Sequence, residues 1–314
     1  MARCCRLLLI TAFCSVVALS AAYAAQQKQK SFASPEEAVK TLVDTLKQND
    51  TKALEVLFGP DSEALVSSGD PVADKAGREK FNAMYEKKNK IETKDADTAV
   101  LVLGEEEWPF PIPLVKQDGA WIFDTAQGKD EILARRIGRN ELAVIQVCLA
   151  YVDAQREYAL VDRDGDGILA YARKFASEPG KKDGLYWETK EGETPSPLGS
   201  LVVDAQAKGY KKSDKDTRTP FHGYFYRILE SQGSNAPGGA YDYIVKGAMA
   251  GGFALVAYPA QYENSGIMTF IVNHDGVVYQ KNLGKDTEKA ALKMSCFDPD
   301  STWKKASECS SGGK

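Results

Sequence analysis

The chain has 314 residues, of which 43% are hydrophobic and 27% charged, and its formal net charge at pH 7 is −4. This negative balance argues against a nucleic acid or an anionic membrane as a partner held by bulk positive charge. The length allows one large domain or two of ordinary size, and the pattern along the chain favours two.

The N-terminus predicts a cleavable secretory signal peptide over residues 1–24. Arg3 and Arg6 precede the apolar run Leu7–Leu19, and small residues then lead to Ala22–Ala24. A charged region, an apolar region and a small-residue exit are typical of signal peptides. The apolar run is shorter than the roughly 18 residues expected of a membrane-spanning helix. We therefore expect cleavage and no membrane span afterwards.

The signal region also predicts where the protein resides. A lipid anchor needs a cysteine just after a small residue at the cleavage point, whereas Cys14 follows Phe13. We therefore expect no lipid anchor and a periplasmic or secreted product. The polar residues that follow, 25–33, are predicted to be a flexible leader.

Cleavage would change both the charge and the cysteine count. Two arginines and no acidic residue would leave, so the formal charge would fall from −4 to −6. Of the six cysteines, Cys148, Cys296 and Cys309 would remain. Cys296 and Cys309 lie close together in a polar tail and form the candidate disulfide. Cys148 lies in an apolar helical run, which predicts a buried small hydrophobe rather than a reactive thiol.

The first predicted domain, residues 34–126, contains helices followed by an antiparallel hairpin. Ser34, Pro35 and Glu37 form a capping box with proline at the first helical position, which marks the start of a helix. The periodicity predicts two further helices and three strands, at 51–57, 73–88, 99–103, 110–115 and 121–123.

This order of elements ends in a Gly-x-Trp-x-Phe unit at 119–123 and resembles the cone-shaped NTF2-like domains. In those domains a curled sheet and helices enclose a pocket. The resemblance implies that Trp108 and Trp121 are candidates for lining such a pocket. Plain core packing is the alternative for large aromatic residues.

The second predicted domain, residues 127–297, contains a long helix and a second antiparallel sheet. The helix is predicted over 129–159, with a break near Gly138 and Asn140 as the cap of a second segment. A loop-rich stretch follows, and the polar residues 298–314 are expected to form a disordered tail. Strands are predicted at 221–229, 241–245, 252–258, 267–272 and 277–280. The predicted fold class is α+β.

Four strings together resemble one family across nearly the whole mature chain. They are Trp-Pro-Phe-Pro-Ile-Pro at 108–113, Arg-Ile-Gly-Arg-Asn-Glu-Leu at 136–142, Tyr-Val-Asp-Ala-Gln at 151–155 and Val-Asn-His-Asp-Gly-Val-Val-Tyr-Gln-Lys at 272–281. They resemble the exported bacterial proteins of domain of unknown function 2950 (DUF2950). This resemblance implies an envelope protein and carries no activity with it.

The second half is also similar to the globular heads of pilins and pseudopilins. A helix beginning at Asn140, a loop-rich stretch, a Gly-Tyr-x-Tyr strand at 223–226 and an Asp-Gly turn before Val277 follow in the order of that family. The resemblance implies a helix packed across an antiparallel sheet. The membrane-spanning half of the pilin helix has no counterpart here, which argues against filament assembly.

One short motif predicts a metal site. Alternate carboxylates, a glycine at the sixth position and an apolar seventh residue match the first half of an EF-hand calcium loop. The twelfth position is Arg173 instead of glutamate, so the standard loop is incomplete, and a helical pattern is predicted over 168–175. A solvated turn is the alternative. The candidate calcium ligands are Asp162, Asp164, Asp166 and the carbonyl of Ile168.

Catalytic chemistry is poorly indicated, and we predict no catalytic residue. The chain has two histidines, His222 at a predicted strand start and His274 in a predicted turn. Neither has a partner in view for acid–base work. The carboxylates of 105–107 favour a solvated loop over a catalytic pair.

The sequence therefore predicts an exported two-domain protein that acts by binding or scaffolding an envelope partner, and it favours a non-catalytic role over an enzymatic one without deciding between them. One alternative is a small-molecule binder or enzyme that uses the N-terminal cone. A second is a component of an extracellular filament or secretion apparatus. A deep cavity with converging carboxylates would favour the first alternative, whereas a filled cone and an exposed sheet edge would favour a protein partner.

Overall fold

The computed structural model describes residues 29–163, 165–211 and 218–306. Within them the chain forms helices and a first sheet, a long connecting helix, and then a second sheet. Both sheets are antiparallel, so the predicted α+β class is confirmed.

The first half opens with four helices. The hydroxyl of Ser34 accepts a hydrogen bond from the N–H of Glu37 at 3.2 Å, so the first helix begins where the capping box predicts. Asn49, in the left-handed region with φ 55°, ends that helix. The helices are α1 (Pro35–Gln48), α2 (Thr51–Phe58), α3 (Glu63–Val66) and α4 (Pro71–Lys87).

The first sheet has the order β1-β2-β4-β5, with β3 paired to β2. Its strands are β1 (Asn89–Thr93), β2 (Thr98–Leu103), β3 (Trp108–Pro109), β4 (Leu114–Gln117) and β5 (Ala120–Phe123). The strand predicted over 110–115 is wrong in its first part. Pro111 and Pro113 have no N–H to donate to a neighbouring strand, so pairing begins only at Leu114.

Residues 29–33, predicted to be part of a flexible leader, pack onto this half of the molecule. Phe32 is 3% exposed and exchanges two main-chain hydrogen bonds with Trp121, at 2.9 and 2.8 Å. The side chain of Gln29 donates to the carbonyl of Phe123 at 2.7 Å. Burial of the Phe32 ring outweighs the polar composition around it. The predicted signal peptide lies outside the described residues.

Helix α5 (Thr125–Tyr158) has 34 residues and runs unbroken from the first half into the second. The predicted break near Gly138 does not form. A glycine in a helix costs only about 1 kcal/mol relative to alanine, which packing on both sides overrides. Asn140 is not a cap but a buried helical residue that donates to the carbonyl of Ser265 at 3.0 Å.

The second sheet has the order β14-β13-β12-β11-β6. Its strands are β6 (Tyr224–Leu229), β11 (Ala254–Pro259), β12 (Met268–Asn273), β13 (Tyr279–Asn282) and β14 (Lys304–Lys305). Every residue of β11 is buried, because α5 and α7 (Thr287–Lys293) both pack against it. The remaining elements are α6 (Gly199–Ala207), β7 (Ser231–Gln232), β8 (Tyr241–Asp242), β9 (Ile244–Val245) and β10 (Ala248–Met249).

Residues 298–306, which were predicted to belong to a disordered tail, are ordered at the edge of the second sheet. Strand β14 pairs with β13, and the N–H of Ala306 donates to the carbonyl of Val278 at 2.8 Å. These main-chain bonds give the polar segment 298–306 a fixed place at the sheet edge. Residues 307–314 lie outside the described residues.

The two halves have separate hydrophobic cores. The first is built from α1, α2, α3 and the first sheet, and the second from the C-terminal part of α5 and the second sheet. Helix α5 contributes Ile132 at the edge of the first core and Val144, Cys148 and Tyr151 to the second. A single helix therefore joins the two cores.

Candidate ligand-binding groove

A groove with a volume of about 720 Å³ lies in the first half of the molecule. Residues from α1, α2, α3, α4, the first part of α5 and the turn between β2 and β3 line it. This volume is in the range of roughly 300–1,000 Å³ that is usual for small-molecule sites. The groove is therefore large enough for a ligand.

Most of the lining is apolar. The aromatic rings form an edge-to-face chain, with Phe81 and Phe110 at 5.5 Å between centroids and Trp108 and Phe110 at 6.2 Å. Edge-to-face contacts of this kind hold the rings in fixed orientations. The aliphatic part of the lining consists mainly of Leu42, Leu46, Leu54, Met84, Leu103, Ile112 and Ile132.

Helix α4 forms one wall of the groove without entering the core. None of its 17 residues is buried, although Phe81 and Met84 pack against the edge of the first core. Gly77 lies on the groove, and a Cβ added there would meet no atom within 4 Å. The inner face of α4 therefore keeps apolar surface that the chain itself leaves uncovered.

One end of the groove carries three arginines, Arg78, Arg136 and Arg139, which we call the arginine end. The guanidinium of Arg78 donates to the carbonyl of Val66 at 2.6 Å, to the hydroxyl of Thr51 at 3.3 Å and to the amide oxygen of Asn49. All three acceptors are neutral. The positive charge of Arg78 is thus held in place without a carboxylate partner.

Arg136 is held in the same way from the opposite wall. Its guanidinium donates to the carbonyls of Ala64 and Leu65, each at 2.6 Å, and to the amide oxygen of Asn264. Burial lowers the pKa of Arg136, but an arginine remains protonated in proteins. Together Arg78 and Arg136 satisfy the last carbonyls of α3.

Arg139 follows Arg136 at the i+3 position and so lies on the same face of α5. It is exposed and makes no ion pair with any described residue. Arg135, also on the groove, pairs with Glu131 and lies 5.5 Å above the ring of Trp108. Two arginines on the α5 wall, Arg136 and Arg139, therefore lack a carboxylate partner within the described chain.

The carboxylates of the groove do not converge. Asp74 accepts the N–H of Ser68 at 2.9 Å, near the start of α4. Glu105 and Glu106 are exposed in the turn after β2. That turn lies beside Met84, six residues beyond Arg78, which is about 9 Å along a helix. No pair of carboxylates in the groove is thus placed for acid–base work.

A buried polar junction fixes the arginine end against the second half. Asp70 is fully buried and caps α4 by accepting the N–H of Ala73 at 3.0 Å. Its other oxygen accepts the hydroxyl of Tyr210 at 2.8 Å and the N–H of Gly223 at 3.1 Å. Burial, followed by the contact with Asp70, raises the pKa of Tyr210. The start of α4 is therefore anchored to the sheet of the second half.

The two tryptophans singled out from the sequence take different positions. Trp108 lines the groove and stacks under Arg135. Trp121 is 9% exposed, belongs to the first core and does not line the groove. Its place on β5 opposite Phe32 accounts for the burial.

The candidate calcium loop is partly formed. The carboxylate of Asp162 accepts the N–H groups of Gly165 at 2.8 Å and Gly167 at 2.9 Å, and that of Asp166 accepts the N–H of Ile168 at 2.8 Å. The helix predicted over 168–175 is wrong, since this stretch runs without helical structure. Asp164 lies outside the described residues, and those described contain no group of three potential metal ligands.

The twelfth position of that loop is committed to another contact. Arg173 forms a bidentate ion pair with Glu230, at 2.8 and 3.1 Å. The loop therefore resembles an EF-hand in its turn and departs from it in its closing ligand and exit helix.

The remaining sequence candidates lie outside the groove. Cys148 is buried, as predicted, and this burial raises the pKa of its thiol to about 12. Cys296 is half-buried, while Cys309 lies outside the described residues, so their disulfide stays a prediction. Burial lowers the pKa of His222, and His274 lies in the turn after β12.

The profile of the family described as "Protein of unknown function (DUF2950)" matches residues 29–306. The chain belongs to the DUF2950 family. The match includes the whole groove, the arginine end and the candidate calcium loop. None of the curated proteins and none of the solved structures matches the chain. Among the described helices of this DUF2950 chain, none is both long and apolar enough to cross a membrane.

Sequence reasoning missed the arginine end. Arg136 and Arg139 lie inside one of the four strings that carry the family resemblance, and their spacing places them on one helix face. That spacing was the available signal. Arg78 gave no such signal, because its role depends on the position of α3, a four-residue helix that the sequence did not predict.

Proposed function

We propose that the protein is an exported, non-catalytic binding protein whose ligand occupies the groove of the first half. The observation that carries this proposal is the uncovered apolar face of α4. Protein interiors are packed with few voids larger than a water molecule. A groove of this volume, walled by a helix with no buried residue, is more consistent with ligand binding than with a packing role.

Binding is favoured over catalysis by the polar groups present. General acid–base chemistry needs a titratable side chain within hydrogen-bond reach of the reacting atom. The groove instead has arginines at one end and separated carboxylates elsewhere. Arginines supply charge and hydrogen bonds for recognition and do not exchange protons near neutral pH.

Export is the second part of this proposal and rests on residues 1–24. The charged, apolar and small-residue regions there would direct the chain to the periplasm or outside the cell. The ligand or envelope partner would then be met in that compartment.

Occlusion of the groove tests the proposal. Gly77→Leu places a side chain where an added Cβ meets nothing within 4 Å, on the groove wall. We expect this variant to fold and to lose binding of the neutral fluorescent probe N-phenyl-1-naphthylamine. Gly138→Leu is the matched control, because its Cβ is equally free but lies away from the groove. Equal probe binding by both variants would overturn the proposal.

We also propose that the loop 162–168 binds calcium. Its support is the turn around Asp162, whose two carboxylate oxygens each accept a main-chain N–H as in a folded calcium loop. Without a cation, the carboxylates of the motif would repel one another. Because the closing glutamate is replaced by Arg173, the affinity should be in the weak range of extracellular calcium modules.

A further inference from the structure

We propose that the ligand of this groove is a long-chain fatty acid, bound with its carboxylate at the arginine end and its alkyl chain along the apolar lining. This inference rests on the proposed function, since it names the class of ligand for the same groove. Such a ligand is a single-chain anionic amphiphile.

Charge is the first argument. Arg78, Arg136 and Arg139 have no ion pair among the described residues. The carboxylate of Asp74 is close enough for its charge to act on Arg136, but its hydrogen bond is to the N–H of Ser68. The arginine end thus carries an excess of positive charge beside an apolar surface. A bound anion would neutralise part of this charge in a partly desolvated site, where Coulomb interactions are stronger than in water.

Unused hydrogen-bond donors are the second argument. A guanidinium has five N–H donors. Arg78 makes three hydrogen bonds to protein oxygens, and Arg136 also makes three. The donors that remain are on Nε and Nη1 of Arg78 and on Nε and Nη2 of Arg136. Arginine binds a carboxylate best through two parallel N–H groups, and the Nε and Nη2 donors of Arg136 are such a pair. The protein contacts fix the guanidinium planes while leaving donors for the ligand.

The distribution of polar groups along the groove is the third argument. Beyond the arginine end, the lining includes the apolar side chains of Phe81, Met84 and Trp108. The guanidinium over Trp108, that of Arg135, is already paired with Glu131. A ligand with amide groups along its length, such as a peptide, would bury them there without partners. An unbranched alkyl chain has no polar group to satisfy. The lining therefore favours one charged head and one apolar chain.

Two series of linear ligands test this inference, each from ten to sixteen carbons and used below its micelle concentration. Competition against N-phenyl-1-naphthylamine would measure the affinities of fatty acids and of the alcohols of equal length. We expect the affinity to rise about fourfold with each added methylene, as burial of one such group requires. We also expect each acid to bind at least about fivefold more tightly than its alcohol, from one additional charge interaction.

The variant Arg139→Gln tests the contribution of the ligand's carboxylate separately from that of its alkyl chain. Arg139 is exposed and bonded to no described residue, so the variant should fold. We expect it to lower the affinity for the fatty acids by about fivefold and to leave the affinity for the alcohols unchanged. Lys52→Gln is the control, because it removes an exposed positive charge of α2 that does not line the groove. This control should change the affinity for neither the acids nor the alcohols.

The outcomes separate the two proposals. Acids and alcohols that bind equally, or an Arg139→Gln variant that weakens both series alike, would overturn the fatty-acid inference and leave the binding groove standing. The fatty-acid inference would also be overturned if zwitterionic lysophosphatidylcholine competed better than the fatty acids. A probe that never enters the groove of the unmodified protein would overturn the proposed function itself.

Discussion

Two glycines of the same helix show how differently one residue type can be used. Gly128 is buried, and a Cβ added there would lie 2.4 Å from the carbonyl oxygen of Pro111. Gly138 is exposed, and its added Cβ would meet nothing within 4 Å. Gly128 thus permits α5 to approach the segment between β3 and β4, whereas Gly138 only weakens the helix. From the sequence alone, Gly138 predicts a break in the helix, and this break does not form.

Alanine at these two positions should have opposite effects. Gly128→Ala forces the helix away from Pro111, and we expect it to lower the free energy of unfolding by about 1–3 kcal/mol. Gly138→Ala removes only the entropic cost of glycine and should raise it by about 0.5–1 kcal/mol. Urea unfolding monitored by circular dichroism measures both. A stabilising Gly128→Ala would contradict the close approach of α5 to Pro111.

Single residues also show where sequence reasoning stops. Ser34 and Cys148 were predicted correctly, because a capping box and an apolar helical run act through neighbouring residues. Trp108 and Trp121 could not be told apart, because their burial depends on Phe32 and α4, which are distant in sequence. Arg78 depends on α3 in the same way.

At the scale of elements, proline and helix-forming residues explain most of the outcomes. The helices with clear start signals, α1, α2 and α4, were found close to their bounds. The strand over 110–115 was overextended because its apolar pattern hid two prolines that cannot join a sheet. The polar composition of the leader and the tail predicts disorder. Phe32 and β14 are nevertheless ordered, because they pair with strands that are distant in sequence.

The loop 162–168 is predicted to bind calcium weakly. We expect isothermal titration of the chain without residues 1–24 to show one calcium site with a dissociation constant of about 10⁻⁴–10⁻³ M. Asp166→Asn should weaken calcium binding, because it replaces a carboxylate ligand of the loop by a neutral amide oxygen. Asp118→Asn is the matched control, since Asp118 lies in an exposed turn with φ 50° that asparagine also adopts. No heat at millimolar calcium would contradict the proposed site.

At the scale of the whole molecule, two cores share one helix and one polar junction. Helix α5 and the contacts of Asp70 tie the groove wall to the second half, and Arg136 adds a bond to Asn264. The order of helices and strands was predictable because hydrophobic periodicity is local. The groove was not, because it arises from the distance between α4 and the sheet, which no local pattern encodes.

The groove should also determine how stability is distributed over the molecule. Helix α4 has no buried residue, so its amide hydrogens should exchange faster than those of β11, where every residue is buried. A ligand in the groove would cover the inner face of α4. It would not change the exchange of amide hydrogens in the second sheet.

Hydrogen exchange with and without a saturating alkyl ligand is therefore the most direct test of the binding groove. We expect dodecanoate to slow exchange in α4 (Pro71–Lys87) by about tenfold or more, as ligand binding at many times its dissociation constant requires, with no change in β11. A ligand that binds while exchange in α4 stays the same, or that protects the second sheet instead, would contradict the account.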